Sequence, residues 1–152
     1  MAEPAEDGAA RLIDAIAEPL DRIISSPLRR ALEVARAVAR RTGAPLHADD
    51  RLTDQDFGRW QGQPWGALPI AEREAWEADP VGYAPGGGES AAAMLRRVRR
   101  VWTRIGSSEG TTLVLTHAGP IGCLLHIAAG LRLEEAIGRG IPYGGILRFE
   151  GR

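Results

Sequence analysis

The sequence predicts an α/β protein, a three-layer α/β/α sandwich with a mostly parallel sheet. Three observations carry that expectation. Short β-prone runs alternate with stretches of helical apolar spacing along the chain. The length of 152 residues fits a single domain, read here as 1–152. The run Thr111-Thr-Leu-Val-Leu-Thr leads straight into His117-Ala-Gly-Pro, the strand-to-helix passage where open α/β sheets bind ligands.

The elements follow in order. A helix is expected from about Ala5 to Leu20, with Leu12, Ile13, Ile16 and Leu20 on one side. Asp21–Ser26 reads as a short buried strand. Pro27 suits the first turn of the next helix, whose stripe is Leu28, Leu32, Ala35, Val38 and Ala39 and which Gly43 ends. Pro45–Asp49 reads as a second strand. Residues 49–67 lack periodicity and read as a long functional loop. A short helix over Ile70–Ala78 and a Gly/Pro-rich connector over Pro80–Gly88 follow. Glu89-Ser90 opens a long helix to about Ile105, with Met94, Leu95, Val98, Val101, Trp102 and Ile105 as its apolar positions. Arg96, Arg97, Arg99, Arg100 and Arg104 lie mostly on its other, solvated side. Beyond His117, helices are expected over Pro120–Ala129 and Leu133–Ile137, then a last strand over Gly145–Phe149.

Composition narrows the function. A net charge of −1 argues against a general nucleic-acid or membrane-surface role. No run of eighteen or more apolar residues exists to span a membrane. The start Met1-Ala-Glu-Pro-Ala-Glu-Asp-Gly is acidic and has no apolar signal core, so a cytoplasmic location is expected. The single Cys123 excludes an intrachain disulfide and any multi-cysteine zinc site, and its apolar surroundings predict a buried, inert thiol. No His, Asp and Glu group has metal-ligand spacing. There is no P-loop, dinucleotide fingerprint or nucleophile elbow.

Three places are candidates for chemistry. In Ser25-Ser26-Pro27-Leu28-Arg29-Arg30-Ala31, an arginine one turn into a helix after a strand can serve an anion beside the helix N-terminus. Spacing alone leaves Arg29 and Arg30 equally open, and ordinary surface arginines are the competing reading. In Arg51–Gly62, Asp54 and Asp56 are both candidate general acids, against simple loop solubility. His117 is the third, against a core histidine bonded to backbone. His126 sits among Leu124, Leu125 and Ile127 and reads as structural, and His47 lies in a strand.

These pieces, in this order, resemble the histidine phosphatase superfamily, the phosphoglycerate-mutase-like group. Ser26-Pro-Leu-Arg-Arg30-Ala is similar to the family's S-P-L-x-R-A segment, and the resemblance puts the phosphate-binding role on Arg30. Leu52-Thr-Asp54-Gln-Asp-Phe-Gly58-Arg-Trp-Gln-Gly62 is similar to its L-x-E-x-x-x-G-x-x-x-G loop, which makes Asp54 the catalytic acid. Pro85-Gly-Gly-Gly-Glu89-Ser90 resembles its G-E-S segment. Leu113-Val-Leu-Thr-His117-Ala-Gly resembles the strand of its second histidine, catalytic and phosphate-binding. The G-G-E-S form and the D-F-G-x-W loop look most like the α-ribazole phosphatase branch, which removes a phosphate late in cobalamin assembly. The resemblance implies a small phosphorylated substrate and no cofactor or metal.

Two departures shape the functional expectation. The family's nucleophile is a histidine in an R-H-G motif at the end of its first strand, and these 152 residues contain no Arg-His-Gly. Glu6-Asp-Gly8-Ala-Ala-Arg-Leu resembles the family's first helix, so the chain is expected to start after that strand, as an N-terminally shortened domain. Asp54 stands where most members carry Glu. In the family the first histidine attacks phosphorus, an acid protonates the leaving oxygen, and water releases phosphate. A chain without the nucleophile is expected to be inactive or nearly so. The alternatives are a pseudophosphatase that binds a phosphorylated ligand and an interaction protein completed by a partner strand. The resemblance places the lost strand between those ending at Ser25 and His117. Its loss predicts either direct pairing of these two or unpaired edges, with marginal stability or self-association.

Overall fold

The structure, a computed structural model, describes residues 4–150; Met1–Glu3, where the start without a signal core begins, lie outside the described residues. Nine helices and strands form among the described residues: α1 (Ala5–Ala15), β1 (Arg22–Ser25), α2 (Arg29–Thr42), β2 (Leu46–Ala48), α3 (Ile70–Ala78), α4 (Ala91–Gly106), β3 (Thr112–Leu115), α5 (Ala118–Ala129) and α6 (Leu133–Gly138). The chain forms two compact units. One comprises the residues up to Thr53, Val101–His117 and those from Ile141 on; the other comprises Asp54–Arg100 and Ala118–Gly140.

The first unit holds a fully parallel sheet in the order β2-β1-β3. Ile23 pairs with Leu46 on one side and with Leu113 on the other. Side chains alternate across a strand, so β1 buries Ile23 on one face and Ile24 on the other. Ile23 packs with Ala9, Ala35, Ala37 and Val38 from α1 and α2, joined by Leu113 and Leu115. Ile24 packs with Leu52, Val101 of α4, Ile105 and Val114. Helices therefore cover both sheet faces, as the α/β/α expectation requires.

The strands ending at Ser25 and His117 pair directly, Ser25 opposite Leu115. Direct pairing was one of the two outcomes expected for these strands. All four β3 residues stay half-buried, and β3 pairs only with β1 among the described residues.

Other differences have local causes. α1 ends at Ala15, with Ile16 already extended, rather than at Leu20. Pro19 lacks the N–H a helix needs and disfavours helix at the residue before it, and Leu20 reaches the core from the connector. Gly43 closes α2 at φ 74° as expected. The 49–67 stretch folds into three single 3₁₀ turns, Asp50–Leu52, Gly58–Trp60 and Trp65–Ala67. The strand expected over Gly145–Phe149 does not form. Its apolar content carries β-propensity, but a strand needs a paired edge. Here Phe149 packs edge-on against Trp102 at 5.7 Å and Arg148 pairs with Glu18. No helix of the described residues is long and apolar enough to cross a membrane.

The second unit is built from α3, the N-terminal half of α4, α5, α6 and the loops between Asp54 and Ser90. Met94, Val98, Pro120 and Cys123 are fully buried in it. Ser90 caps α4, its hydroxyl accepting from the Ala93 N–H at 3.1 Å, and this fixes the helix start that the sequence placed there.

Candidate active site

In the first unit the carboxyl ends of β1 and β3 bring Ser26 and His117 together. The Ser26 N–H donates to the Leu115 carbonyl at 2.8 Å, so the sheet ladder continues one residue past β1. Ser26 is fully buried and His117 is 7% exposed. His117 Nε2 lies 2.8 Å from Ser26 Oγ. Ser26 Oγ also accepts from the Leu28 N–H at 3.2 Å, just ahead of α2. One hydroxyl thus holds both the imidazole and the entry to α2. In its Nδ1–H tautomer the neutral ring accepts the Ser26 proton at Nε2, whereas the Nε2–H tautomer and the imidazolium donate to the oxygen. The Thr116 hydroxyl donates to the Leu52 carbonyl at 2.6 Å and fixes the residue before His117.

Arg30 lies in the first turn of α2 and is exposed. Arg29 also lies there, but its guanidinium bonds Glu33 one turn on at 2.7 Å, which holds its charge in a surface pair.

In the second unit Asp54 is half-buried, and its Oδ1 accepts from the Gln55 N–H at 3.0 Å. Gly119, in the first turn of α5, leaves room for it: a Cβ there would stand 3.3 Å from Asp54 Oδ1 and 3.0 Å from Met94 Sδ. Asp56 is differently used. Its carboxylate accepts from the Gly58 N–H at 2.8 Å and closes a local turn.

The Asp54 loop is pinned by residues that spacing left unassigned. The Arg97 guanidinium forks onto the Glu89 carboxylate at 2.7 and 2.8 Å, with both side chains at most 20% exposed. The same guanidinium donates to the Asp54 carbonyl at 3.2 Å. The Glu89 N–H donates to the Asp56 carbonyl at 2.7 Å, and Gln55 Nε2 donates to the Glu89 carbonyl at 2.9 Å. Arg97 therefore leaves the solvated face expected for it. The signal was in the spacing: position 97 lies three residues after Met94 and four before Val101, on the apolar stripe. Glycines let the two loops touch. A Cβ on Gly86, at φ 61°, would fall 2.3 Å from the Phe57 carbonyl oxygen.

The remaining histidines have other roles. His126 Nδ1 meets the Leu131 carbonyl at 2.6 Å, a structural contact. His47 is exposed on β2. Burial pushes the Cys123 thiol up to about 12, so it stays protonated. Among the described residues, no group of three or more His, Cys, Asp or Glu is arranged to hold a metal ion.

Comparison with known proteins fits these pieces. A bifunctional protein of Mycobacterium tuberculosis is 40% identical over 111 residues, which span 70% of this chain and 30% of that protein. The adenosylcobalamin/alpha-ribazole phosphatase of Salmonella typhimurium is 30% identical over 112 residues, spanning 70% of this chain and 55% of the enzyme. The chain thus spans between 30% and 55% of the length of these relatives. The solved structure of a mycobacterial glucosyl-3-phosphoglycerate phosphatase superposes with a TM-score of 0.70 at 28% identity, over 88% of this chain and 68% of that one. Residues 3–152 match the sequence profile of the histidine phosphatase superfamily (branch 1), and the chain belongs to that superfamily.

Proposed function

We propose that this chain supplies the phosphate-binding side of a phosphomonoester hydrolase site, and that these 152 residues alone hold the ester with little or no turnover. The observation that carries the reading is the buried 2.8 Å contact of His117 with Ser26 at the ends of two paired strands. Arg30 follows in the first turn of α2. A cation and an imidazole in such positions suit the oxygens of a phosphoryl group. Asp54 is the proposed proton donor to the leaving oxygen. Attack on phosphorus needs a nucleophile, and the Arg-His-Gly segment that provides it in the family is not among these residues.

The substrate we propose is an α-ribazole phosphate type of ester. Its support is the Gly87-Gly88-Glu89-Ser90 segment and the similarity to the Salmonella enzyme. The reading is tested by hydrolysis of p-nitrophenyl phosphate and α-ribazole phosphate by the purified chain, with His117→Ala as control. Turnover at background in both proteins is expected. Turnover that His117→Ala abolishes overturns the inactivity claim.

A further inference from the structure

Among the described residues β3 pairs with β1 and with no other strand, so one side of it is an open sheet edge. The Arg22 N–H donates to the Thr111 carbonyl at 3.4 Å, and the Ser26 N–H to the Leu115 carbonyl at 2.8 Å. Successive residues of a strand send their backbone groups to opposite sides. Thr111, Leu113 and Leu115 therefore serve β1. Thr112, Val114 and Thr116 turn their N–H and C=O groups to the open side. Sheet edges are commonly blunted by charge, proline or shortness. The β2 edge has all three: it is the short run Leu46–Ala48, entered from Pro45 and left through Asp49. Residues 112–116 contain neither a charge nor a proline.

The open segment reads the same in both directions, Thr112-Leu-Val-Leu-Thr116. Antiparallel pairing of two copies about Val114 sets Thr112 opposite Thr116, Leu113 opposite Leu115 and Val114 opposite itself. A two-fold axis brings identical surfaces together. Like charges directly opposite repel, so a charged edge resists this arrangement and the neutral β3 edge accepts it. The backbone agrees: Thr112, Val114 and Thr116, whose groups are open, meet one another as hydrogen-bonded pairs. A shift of one residue sets these groups against residues that β1 already uses. A shift of two sets Thr112 against Val114 and loses the match. The apolar faces also continue across the pair, since Val114 packs with the Ile24 cluster and Leu113 and Leu115 with the Ile23 cluster. The Thr112 hydroxyl is buried without a hydrogen-bond partner among the described residues, which is costly in a single chain. Its counterpart Thr116 donates to the Leu52 carbonyl and keeps lone pairs that can accept. Rotation about χ1 of Thr112 aims its proton at that oxygen, the Thr–Thr bond of antiparallel strands.

We infer that the β3 edge is an interface for a second copy of this chain, paired antiparallel about Val114 so that the two sheets become one. The inference does not rest on the phosphomonoester reading, because neither Arg30 nor His117 takes part in the pairing. A single strand edge buries less than the roughly 1,200 Å² of a standard stable interface, so the pair dissociates on dilution.

Analytical ultracentrifugation of the full chain over a range of concentrations tests it. The mass is expected to rise from 16.3 kDa to twice that value and to stop there, because two-fold pairing uses up the edge. Thr112→Pro removes an N–H that faces only the open side, at the first residue of β3, where proline is tolerated. This variant is expected to keep the far-UV circular dichroism of the wild type and to stay at 16.3 kDa where the wild type is paired. Thr112→Lys, a charge on the edge, serves if that variant does not fold. Hydrogen exchange reads the register. The Thr112, Val114 and Thr116 N–H groups should slow about tenfold when about nine-tenths of the chain is paired, while Leu113 and Leu115 are protected at every concentration. A chain that stays at 16.3 kDa throughout overturns the inference and leaves the edge to a strand of another protein. Growth beyond twice the mass, pairing of Thr112→Pro as strong as that of the wild type, or pairing without slowed exchange at Thr112, Val114 and Thr116 also overturns it.

Discussion

His117 Nε2 and the Ser26 hydroxyl stand 2.8 Å apart, both buried, at the carboxyl ends of two paired parallel strands. The contact sets the imidazole orientation, because the hydroxyl is itself tied to the Leu28 N–H. Removing it leaves a buried ring nitrogen without that partner, which costs about 1–3 kcal/mol. Ser26→Ala is expected to shift the His117 ring ¹⁵N resonances and weaken phosphate binding about five- to tenfold, the size of one net hydrogen bond. NMR titration of wild type and variant checks both.

Gly86 and Gly62 share positive φ values of 61° and 73°, but their surroundings differ. A Cβ at Gly86 meets backbone at 2.3 Å, and at Gly62 it meets nothing within 4 Å. Gly62→Ala is expected to lose only the left-handed backbone penalty, about 1 kcal/mol. Gly86→Ala must also force the two pinned loops apart and is expected to lose about 3 kcal/mol or more. Urea unfolding of the two variants side by side gives the comparison.

Much of this was legible in the sequence. Helical spacing located α2, α3 and α4 closely, and the strand into His117 was plain from its β-prone run. The failures were tertiary. Residues 145–149 have the composition of a strand, yet strand formation depends on a partner edge that local sequence does not encode. Arg97 carries a charge, and only its bidentate bond to Glu89 across two helical turns explains why it tolerates burial. Strand order was legible only in part: direct pairing of β1 and β3 was one of two outcomes left open, and the hydrogen-bond ladder selects it.

The Glu89–Arg97 pair makes its own prediction. Glu89→Ala removes the carboxylate onto which the Arg97 guanidinium forks, at 2.7 and 2.8 Å. A stability loss of about 3 kcal/mol is expected. The double variant with Arg97→Met is expected to recover some of it, since the part-buried charge that lost its carboxylate is gone. A double-mutant cycle by chemical denaturation reads the coupling.

Stability should also fall in acid through Asp49. The Arg51 side chain, hydrogen-bonded to its carboxylate at 2.6 and 2.9 Å, holds Asp49 below its ordinary value of 3.8. A lowered folded value stabilises above the unfolded one. That stabilisation is full above about pH 4–5 and is lost as pH falls through the lower folded value. Asp49→Asn is expected to be less stable at pH 7 and to show a shallower decline below pH 4. Melts between pH 3 and 7 test the sign.

Cys123 should resist thiol reagents. With its thiol pushed up to about 12, the thiolate at pH 8 is on the order of one in ten thousand. Labelling by iodoacetamide is expected only at the rate of unfolding, and fast labelling of the native chain would contradict the burial described.

The central claim, phosphate-ester recognition by Arg30 and His117 without turnover, is tested most directly by ³¹P NMR of a phosphomonoester mixed with the 152-residue chain. The expected result is a shifted or broadened ester signal that persists for hours, with no growing inorganic phosphate signal. Arg30→Ala and His117→Ala should each abolish the shift. Conversion to inorganic phosphate that depends on His117, or an ester signal unaffected by the wild-type chain, would contradict it.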